Sequence, residues 1–453
     1  MIKEKMKTLK ETTIKLGSDN NFLKRVKLIS LLGIFLVVII NHLFIKNGLI
    51  DFIMSITVMG IIVLKSKFSI LSLISVLANY PLIAITFQNF TGSSYGILEL
   101  SVKEFGLHYY EINLATIIFN IIMLIYLFFT KINKYEKLTL NNTYQISDYL
   151  INIFCLIAIF ATIVYLPRFS LLSGVSHESR YYHLLPGNAW NYVAIVSILF
   201  TTLSRKLSFF QIITYSFVIL WFFMNYERVD MLGLTVLLVF RYRDYILQSS
   251  FVKYIPYKKI VFSTLFTSLF AFLFASSYLR EGKSFNLFSL IRDILVQTTS
   301  CDIMHVFNTA FEYVENVGLT YGSTYLNYLY KIIPGFGNHM DYSSILDNYI
   351  ANPGGGYFLS EPYMNFGYIG VLLFSILLLT VIYLLCKYSN SYTYLLYTCL
   401  VAASFRIMWY GLIYIHKSYI MIIPGLFIFM IFFDKKVVPI ISNKKYKRLE
   451  KEN

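Results

Sequence analysis

A single carboxylate stands where an apolar segment begins in the stretch NPGGGYFLSEPYMNFGYIG, residues 352–370. Ser360 can cap a helix and Pro362 suits its first turn, so the pattern predicts that the apolar helix starts here. Such a start favours a bound anion, and the glycines 354–356 can fold over a bound group. The stretch is therefore a candidate anion site, but Glu361 could equally complement the helix dipole while the glycines merely connect. The residues alone leave both interpretations open.

Arg228 lies in a very short connection between two apolar segments, within NYERVDMLGLTVLLVF. Its planar, permanently charged guanidinium would be held at the membrane surface, where it suits a phosphate or pyrophosphate group. Ionisable groups at that depth are often functional. The structural alternatives are local pairing with Glu227 or Asp230 and a plain interfacial anchor.

Three further cations fall in connections on the same predicted side. Arg280 and Lys283 come directly after an apolar segment in SSYLREGKSFN, and Arg180 stands between two histidines in SHESRYYHLLPGNAW. Together with Arg228, these cations would form a basic vestibule for a phosphorylated amphiphile. Aromatic neighbours make an interfacial anchor the alternative for Arg180.

Arg406 lies inside the apolar segment VAASFRIMWYGLIYIH, where an unpaired charge is costly. It must face a polar cavity or a carboxylate, and a substrate contact and a structural ion pair both remain open. His339, in IIPGFGNHMDYSS, is a second candidate for a base or a hydroxyl-orienting group. The histidines show no metal-ligand spacing and the four cysteines are scattered, so the sequence predicts neither a metal site nor another cofactor.

These residues belong to a strongly apolar chain. Of its 453 residues, 57% are hydrophobic and only 14% are charged, and the mean hydropathy is +0.62. This composition predicts an all-α integral membrane protein, because a helix of about 20 apolar residues crosses a bilayer. About twelve segments qualify as transmembrane helices, at residues 28–45, 49–64, 68–87, 112–130, 149–166, 190–203, 208–224, 229–240, 260–278, 366–386, 393–411 and 418–433.

Basic residues set the predicted orientation. Most Lys and Arg fall in alternate connections and in the two tails, which places both termini in the cytoplasm. The formal charge of +15 therefore reflects sidedness and does not indicate nucleic-acid binding. The predicted organisation is a cytoplasmic basic tail at 1–27, nine spans within 28–278, a large extracytoplasmic loop with short helices at 279–365, three spans within 366–433 and a cytoplasmic basic tail at 434–453. Any chemistry is expected on the extracytoplasmic side.

Three stretches resemble a known family. GGGYFLSEPYMNFGYIGVLLF is similar to the small-residue stretch, acid, aromatic and N-F-G-x-x-G pattern of the Wzy-type polymerases of O-antigen, capsule and other surface polysaccharides. LTYGSTYLNYLYKIIPGFGN, residues 319–338, resembles the G-x-[ST]-Y…I-P stretch that precedes it in those proteins, and NYERVDMLGLTVLLVF resembles their mid-chain turn. The resemblance implies an enzyme in the bacterial cytoplasmic membrane that joins oligosaccharide repeat units carried on undecaprenyl pyrophosphate. The growing chain would pass to the non-reducing end of a new unit.

For such chemistry, an acceptor hydroxyl needs a base, for which Glu361 is the first candidate and His339 the second. The activated leaving group demands no metal or nucleotide, and cations would stabilise the departing pyrophosphate. The candidate contacts to pyrophosphate or sugar are Arg228, Arg280, Arg180, Arg406, Lys283, Tyr357 and Tyr363. Expected partners are the lipid-linked oligosaccharide, membrane lipids, and a chain-length regulator and flippase of the same pathway, without nucleic acid.

Two other functions compete with a polymerase. A ligase that delivers a lipid-linked glycan to lipid A core or protein has related architecture, but its histidine-asparagine signature is absent where SEPYMNFG stands. A flippase or other transporter would place cations along a central cavity, whereas here nearly all of them lie at the ends of apolar segments.

Overall fold

The computed structural model describes residues 20–66, 69–91, 108–130, 146–167, 190–204, 207–225, 227–248, 298–332, 340, 342–349, 356–388, 390–411 and 420–433. Within these ranges the chain is helical, without a β-strand. The helices are α1 (Asn20–Ile40, continued by a π-helical turn Asn41–Ile45), α2 (Gly48–Ser66), α3 (Ile70–Thr91), α4 (Tyr109–Phe129), α5 (Asp148–Tyr165), α6 (Trp190–Thr201), α7 (Phe209–Met224), α8 (Arg228–Gln248), α9 (Thr298–Asn316), α10 (Ser323–Ile332), α11 (Tyr342–Tyr349), α12 (Ser360–Lys387), α13 (Ser391–Tyr410) and α14 (Ile420–Phe433).

Five of the described helices are long and apolar enough to cross a membrane, namely α2, α3, α4, α5 and α12. The fold is thus α-helical and compatible with a membrane-embedded protein, as the composition predicts. Described helices coincide with eleven of the twelve predicted segments, and the remaining segment, 260–278, lies outside the described residues. The number of spans itself stays a prediction.

Helices α2, α3 and α4 form one packed unit. Gly48 at the start of α2 touches the ring of Tyr109 at the start of α4, where an added Cβ would lie 2.7 Å from Cδ1. The Tyr109 hydroxyl donates to Thr86 near the end of α3 at 3.1 Å. Therefore α2 and α4 run in parallel, and α3 runs against both. Deeper in the unit, the buried amides of Asn79 and Asn120 bond each other reciprocally, which satisfies both groups away from water.

A glycine allows α8 and α13 to approach closely. A Cβ on Gly233 would lie 1.8 Å from the carbonyl oxygen of Ala402, so only glycine fits the crossing. Close approach through small residues is the usual way in which helices pack inside membranes. It also places Asp230, one turn before Gly233, beside Arg406, one turn after Ala402.

Residues 356–359 form a non-helical segment, called the strap below, that enters the bundle before α12. The backbone N–H of Gly356 donates to Trp409 O at 3.0 Å and that of Phe358 to Met408 O at 3.1 Å. The Tyr357 hydroxyl donates to Ala78 O of α3 at 2.6 Å. Irregular backbone at membrane depth requires such internal partners, so these bonds explain how the strap can lie among helices.

Helix α12 begins at Ser360 and is broken one and a half turns later. Phe366 and Gly367 leave helical geometry, and Gly367 takes φ 59° and ψ −147°, which a residue with a side chain rarely adopts. The kink brings Gly370 against the carbonyl of Pro362, leaving no room for a Cβ. The prediction that Ser360 caps this helix is wrong: Leu359 holds the cap position, and Ser360 N donates to Tyr357 O at 2.8 Å.

The late loop predicted at 279–365 contains α9, α10 and α11 among its described residues. Helix α9 does not stand apart from the bundle. Its Phe307 ring lies 4.9 Å from that of Tyr357, its Cys301 packs with Ala84, and its Asn308 accepts a hydrogen bond from His108 N at 2.8 Å. Helix α9 therefore covers the strap.

Candidate functional site

Glu361 is a buried carboxylate held by two hydroxyl groups. It is 3% exposed. Its Oε1 accepts a hydrogen bond from the Thr324 hydroxyl at 2.7 Å, and its Oε2 accepts one from the Tyr328 hydroxyl at 2.9 Å. Thr324 and Tyr328 are four residues apart in α10 and so share one helix face. Each carboxylate oxygen therefore has a donor that fixes the orientation of the group.

Asn365 connects the chain before α10 to the kink of α12. Its side-chain Nδ2 donates to the Thr324 hydroxyl at 2.7 Å and to Glu361 O at 2.9 Å. Its Oδ1 accepts from the Thr320 hydroxyl at 2.8 Å and from Gly322 N at 2.7 Å. One fully buried side chain thus uses both its donors and its acceptor. Asn365 therefore joins the two late motif segments, together with the hydroxyl groups on Glu361 and the backbone bonds from Thr320 N to Met364 O and from Tyr321 N to Asn365 O.

Tyr342 closes the cluster from α11. Its side chain is 3% exposed, and the Cα of Gly356 faces its ring, where an added Cβ would lie 3.1 Å from Cε1. Burial raises the pKa of Tyr342, and the nearby Glu361 carboxylate raises it further. The same two causes, burial first, raise the pKa of Tyr325. Both phenols are therefore neutral at physiological pH and surround the carboxylate with groups that can donate but do not repel it.

A second cluster is centred on Arg406. Its Nε donates to Asp230 Oδ1 at 2.6 Å and one terminal nitrogen donates to Asp230 Oδ2 at 2.7 Å, a bidentate pair. The same terminal nitrogen lies 3.3 Å from Glu227 Oε2. Tyr165 donates its hydroxyl to Glu227 Oε1 at 3.0 Å. Of the two predicted surroundings of Arg406, a polar cavity or a carboxylate, the structure shows a carboxylate, which is contributed by α8.

This charge cluster fixes the start of α8. Arg406 is 14% exposed and carries one positive charge against two carboxylates. Its guanidinium is therefore engaged by protein groups. Arg228, between Glu227 and Asp230, is the first residue of α8 and is partly exposed. Arg406 consequently orients the turn that carries Arg228.

The strap brings the two clusters to the same part of the bundle. The backbone N–H of Phe358 donates a hydrogen bond to the carbonyl oxygen of Met408. Phe358 lies three positions before Glu361, and Met408 lies two positions after Arg406. The polar groups of both clusters are therefore positioned by one continuous backbone contact between the strap and α13.

The two predicted tyrosines occupy different environments. The Tyr357 ring is 1% exposed and packs against Phe307 and Phe358, so it belongs to the core here and offers no face to a sugar. Tyr363 is partly buried, with its ring 3.9 Å from that of Phe311 and 5.2 Å from that of Tyr368. Of the two, only Tyr363 retains partial exposure.

Four predicted site residues, Arg180, Arg280, Lys283 and His339, lie outside the described residues. Within the described ranges, no cluster of three or more His, Cys, Asp or Glu side chains could hold a metal ion. The four cysteines are buried and unpaired with one another.

Sequence reasoning missed the partners of the two key charges. Thr324 and Tyr328 lie within the stretch LTYGSTYLNYLYKIIPGFGN, residues 319–338. Their spacing of four residues could have indicated that the two hydroxyl groups share one helix face. Asn365 is the asparagine of the N-F-G pattern, but the sequence predicted no role for it. Nothing in the sequence indicated that Tyr165 contacts Glu227, because a tyrosine in an apolar helix is usually a core residue.

Comparison of the chain with protein-family models, with curated proteins and with solved structures gives no match in any of the three.

Proposed function

We propose that the chain is a membrane glycosyltransferase that polymerises oligosaccharide repeat units carried on undecaprenyl pyrophosphate, on the extracytoplasmic side of a bacterial cytoplasmic membrane. The observation that carries the proposal is the meeting of the two late motif segments around Glu361. Thr324 and Tyr328 come from one segment and Asn365 from the other. These are the segments whose sequences resemble the polymerase family.

In the proposed reaction, a hydroxyl group of the acceptor sugar attacks the anomeric carbon of the donor chain. A new carbon–oxygen bond forms while the bond from that carbon to the pyrophosphate oxygen breaks, and the bonding electrons leave with undecaprenyl pyrophosphate. The proton of the acceptor hydroxyl passes to Glu361. Because Thr324 and Tyr328 hold the carboxylate in one orientation, its approach to the hydroxyl costs little reorganisation.

Charge on the leaving group needs a cation beside it. Arg228 is partly exposed at the start of α8 and is the candidate to contact the pyrophosphate, whereas the guanidinium of Arg406 is bonded to Asp230 and Glu227. In this proposal, Arg406 acts through Arg228 by fixing the turn at the start of α8. Arg180, Arg280 and Lys283 stay predicted contacts to the same group, with His339 as the second candidate base.

Deletion of the gene tests the function directly. A polymerase defect leaves surface glycan that carries a single repeat unit and removes the long-chain ladder on a gel. Complete loss of surface glycan, including the single unit, would instead indicate a flippase or a ligase. Wild-type chain supplied from a plasmid should restore the ladder.

The role of Glu361 is tested with Glu361→Gln at matched expression. Glutamine can still accept a hydrogen bond from one hydroxyl but cannot take a proton, so polymerisation should fall by about 10²–10⁴-fold while the protein still purifies folded. Glu315→Gln is the matched control, since Glu315 is 65% exposed on α9 and should leave the ladder intact. A full ladder from Glu361→Gln would show that this carboxylate is not the base.

A further inference from the structure

Helix α12 presents a stripe of exposed apolar side chains. Ile369, Leu373, Ile376 and Leu377 follow helical spacing, and all four are exposed. Because α12 is long and apolar enough to cross a membrane, we expect lipid to cover this stripe. The stripe therefore marks a side of the fold that faces lipid.

The stripe reaches the turn that precedes α10. Phe366 is exposed at the kink of α12, and its Cβ lies 3.0 Å from the position of an added Cβ on Gly370, next to Ile369. The far end of its ring lies against Gly322, where an added Cβ would lie 3.2 Å from Cζ. The backbone N–H of Tyr321 donates to Asn365 O at 3.1 Å. The turn is thus fixed at the end of the lipid-facing stripe.

Two further exposed side chains adjoin this turn. Tyr321 is 77% exposed, and its backbone takes φ 49°, a left-handed conformation that is uncommon for a residue with a Cβ. Leu326 is 53% exposed, and its N–H donates to Gly322 O at 3.2 Å. Phe366 and Leu326 therefore both adjoin Gly322. The exposed side chains of Tyr321, Leu326 and Phe366 are called the outer patch below.

The outer patch and Glu361 lie on opposite sides of α10. Leu326 comes two residues after Thr324 and two before Tyr328, which is about half a helical turn from each of them. The hydroxyl groups of Thr324 and Tyr328 donate to Glu361. Helix α10 therefore separates the carboxylate from the outer patch.

The sequence around the outer patch carries no charge. Residues 316–330 contain no Asp, Glu, Lys or Arg, but they contain four tyrosines. Tyrosine is enriched at membrane–water interfaces, where its ring meets the acyl chains and its hydroxyl meets the headgroups. Helix α10 has ten residues, about half the length that a span requires. This composition and length are typical of a helix that lies in the interface without crossing the bilayer.

We propose that α10 and the turn before it lie in the membrane interface, with the outer patch in contact with the acyl chains of the bilayer lipids. The placement itself does not depend on the proposed polymerase activity. One consequence does rest on that activity: Glu361 would lie about one helix diameter, roughly 10 Å, from the lipid. A sugar could then reach the carboxylate while its carrier lipid stays in the bilayer.

The test is fluorescence quenching of the full chain in phosphatidylcholine vesicles. Leu326→Cys and Tyr321→Cys are each labelled with a small thiol-reactive fluorophore. The four native cysteines are buried, and the labelled wild-type chain supplies the background signal. Lipids that carry a nitroxide near the headgroup should quench both probes, because the apolar face of an interfacial helix lies at the boundary between headgroups and acyl chains.

Iodide present on both sides of the membrane measures contact with water. It should quench the probes at Leu326→Cys and Tyr321→Cys about fivefold less than a probe at Asp347→Cys, since an interfacial apolar face excludes water. Asp347→Cys is the matched control, because Asp347 lies in α11 of the same late loop and is also exposed, on a polar face.

Three results would overturn the proposal. Equal quenching by iodide at Leu326→Cys and Asp347→Cys would place the outer patch in water. Protection from both iodide and the lipid nitroxide would show that protein, such as a second copy of the chain, covers it. Quenching only by nitroxides at the end of the acyl chain would place α10 in the hydrocarbon core. If Leu326→Cys fails to fold, Tyr321→Cys decides alone. The polysaccharide ladder is not part of this measurement, so either proposal can fail while the other stands.

Discussion

The indole nitrogen of Trp409 donates to the backbone carbonyl of Leu77 at 3.0 Å, and this is the carbonyl that Pro81 leaves without a helical partner. Proline has no N–H, so the carbonyl four residues before it loses its bond within α3. In a membrane helix such a group must be satisfied by a neighbouring element. The side chain that satisfies it belongs to α13, directly beside the strap.

This relationship predicts a non-additive pair of substitutions. Trp409→Phe keeps the ring but removes the donor, and it should destabilise the protein by about 1–3 kcal/mol because Leu77 O becomes unsatisfied. In a Pro81→Ala background the helix itself supplies an N–H, so the same change should cost clearly less. Unfolding of the two single variants and the double variant in detergent measures the coupling. Equal costs in both backgrounds would contradict the assignment.

The crossing of α8 and α13 predicts the effect of a single methyl group. Gly233→Ala places a Cβ 1.8 Å from Ala402 O, so the helices must separate and the Asp230–Arg406 pair must stretch. A loss of about 1–3 kcal/mol or more is expected. Gly60→Ala in α2 is the control, because its Cβ meets nothing within 4 Å and should cost nothing. Similar Tm values for both variants would show that the crossing is looser than described.

The ion pair of Asp230 and Arg406 predicts that a second substitution, at Asp230, partly restores the stability lost in Arg406→Ala. Arg406→Ala leaves two buried carboxylates without their cation and should destabilise by about 3–5 kcal/mol. The double variant Asp230→Ala, Arg406→Ala removes one of those carboxylates and should be more stable than Arg406→Ala alone. Arg406→Lys keeps the charge but not the bidentate geometry, so it should fall between wild type and Arg406→Ala. Thermal unfolding ranks the variants, and a double variant less stable than Arg406→Ala would argue against the pair.

The helical architecture could be predicted from the sequence because apolar length alone encodes it. Described helices coincide with eleven predicted segments for this reason. A polar cavity or a carboxylate partner was also expected for Arg406, since a charge at that depth demands one or the other. Its identity was not predictable, because Asp230 precedes Arg406 by 176 residues and only the Gly233 crossing brings them together.

The geometry around Glu361 could be predicted only in part. The helix start and the acid were visible in the sequence, but the hydroxyl groups that hold the acid come from α10, and no local pattern links α10 to α12. The strap was also hidden: Tyr357 looks like an exposed aromatic in a glycine-rich loop, yet its side chain is 1% exposed. Burial of this kind is decided by tertiary packing, which spacing does not encode.

A buried histidine predicts acid sensitivity. Burial lowers the pKa of His305, in α9, from its usual value of 6.5 to about 4. Between these values the unfolded chain binds a proton that the folded chain does not, so stability falls as pH drops from 6.5 toward 4. His305→Phe should reduce this loss, by about 2–3 kcal/mol at most. His42→Phe, which changes an exposed histidine, should not. Unfolding measured across this pH range checks the slope, and an unchanged slope in His305→Phe would contradict it.

Substitutions at Asn365 and Glu361 should distinguish a residue that positions the site from one that takes part in the reaction. Asn365→Asp keeps the oxygen that accepts from Thr320 and Gly322 but loses the amide donors and adds a negative charge beside Glu361. The contact between α10 and α12 should therefore loosen, increasing protease cleavage between α9 and α11 about tenfold, and the polysaccharide ladder should be lost. Glu361→Gln, by contrast, should lose the ladder while resisting the protease like wild type. Asn47→Asp changes an exposed amide before α2 and keeps the oxygen that accepts from Leu49 N, so it should alter neither property. If Asn365→Asp resisted the protease like wild type, the two late segments would not be held together by this side chain.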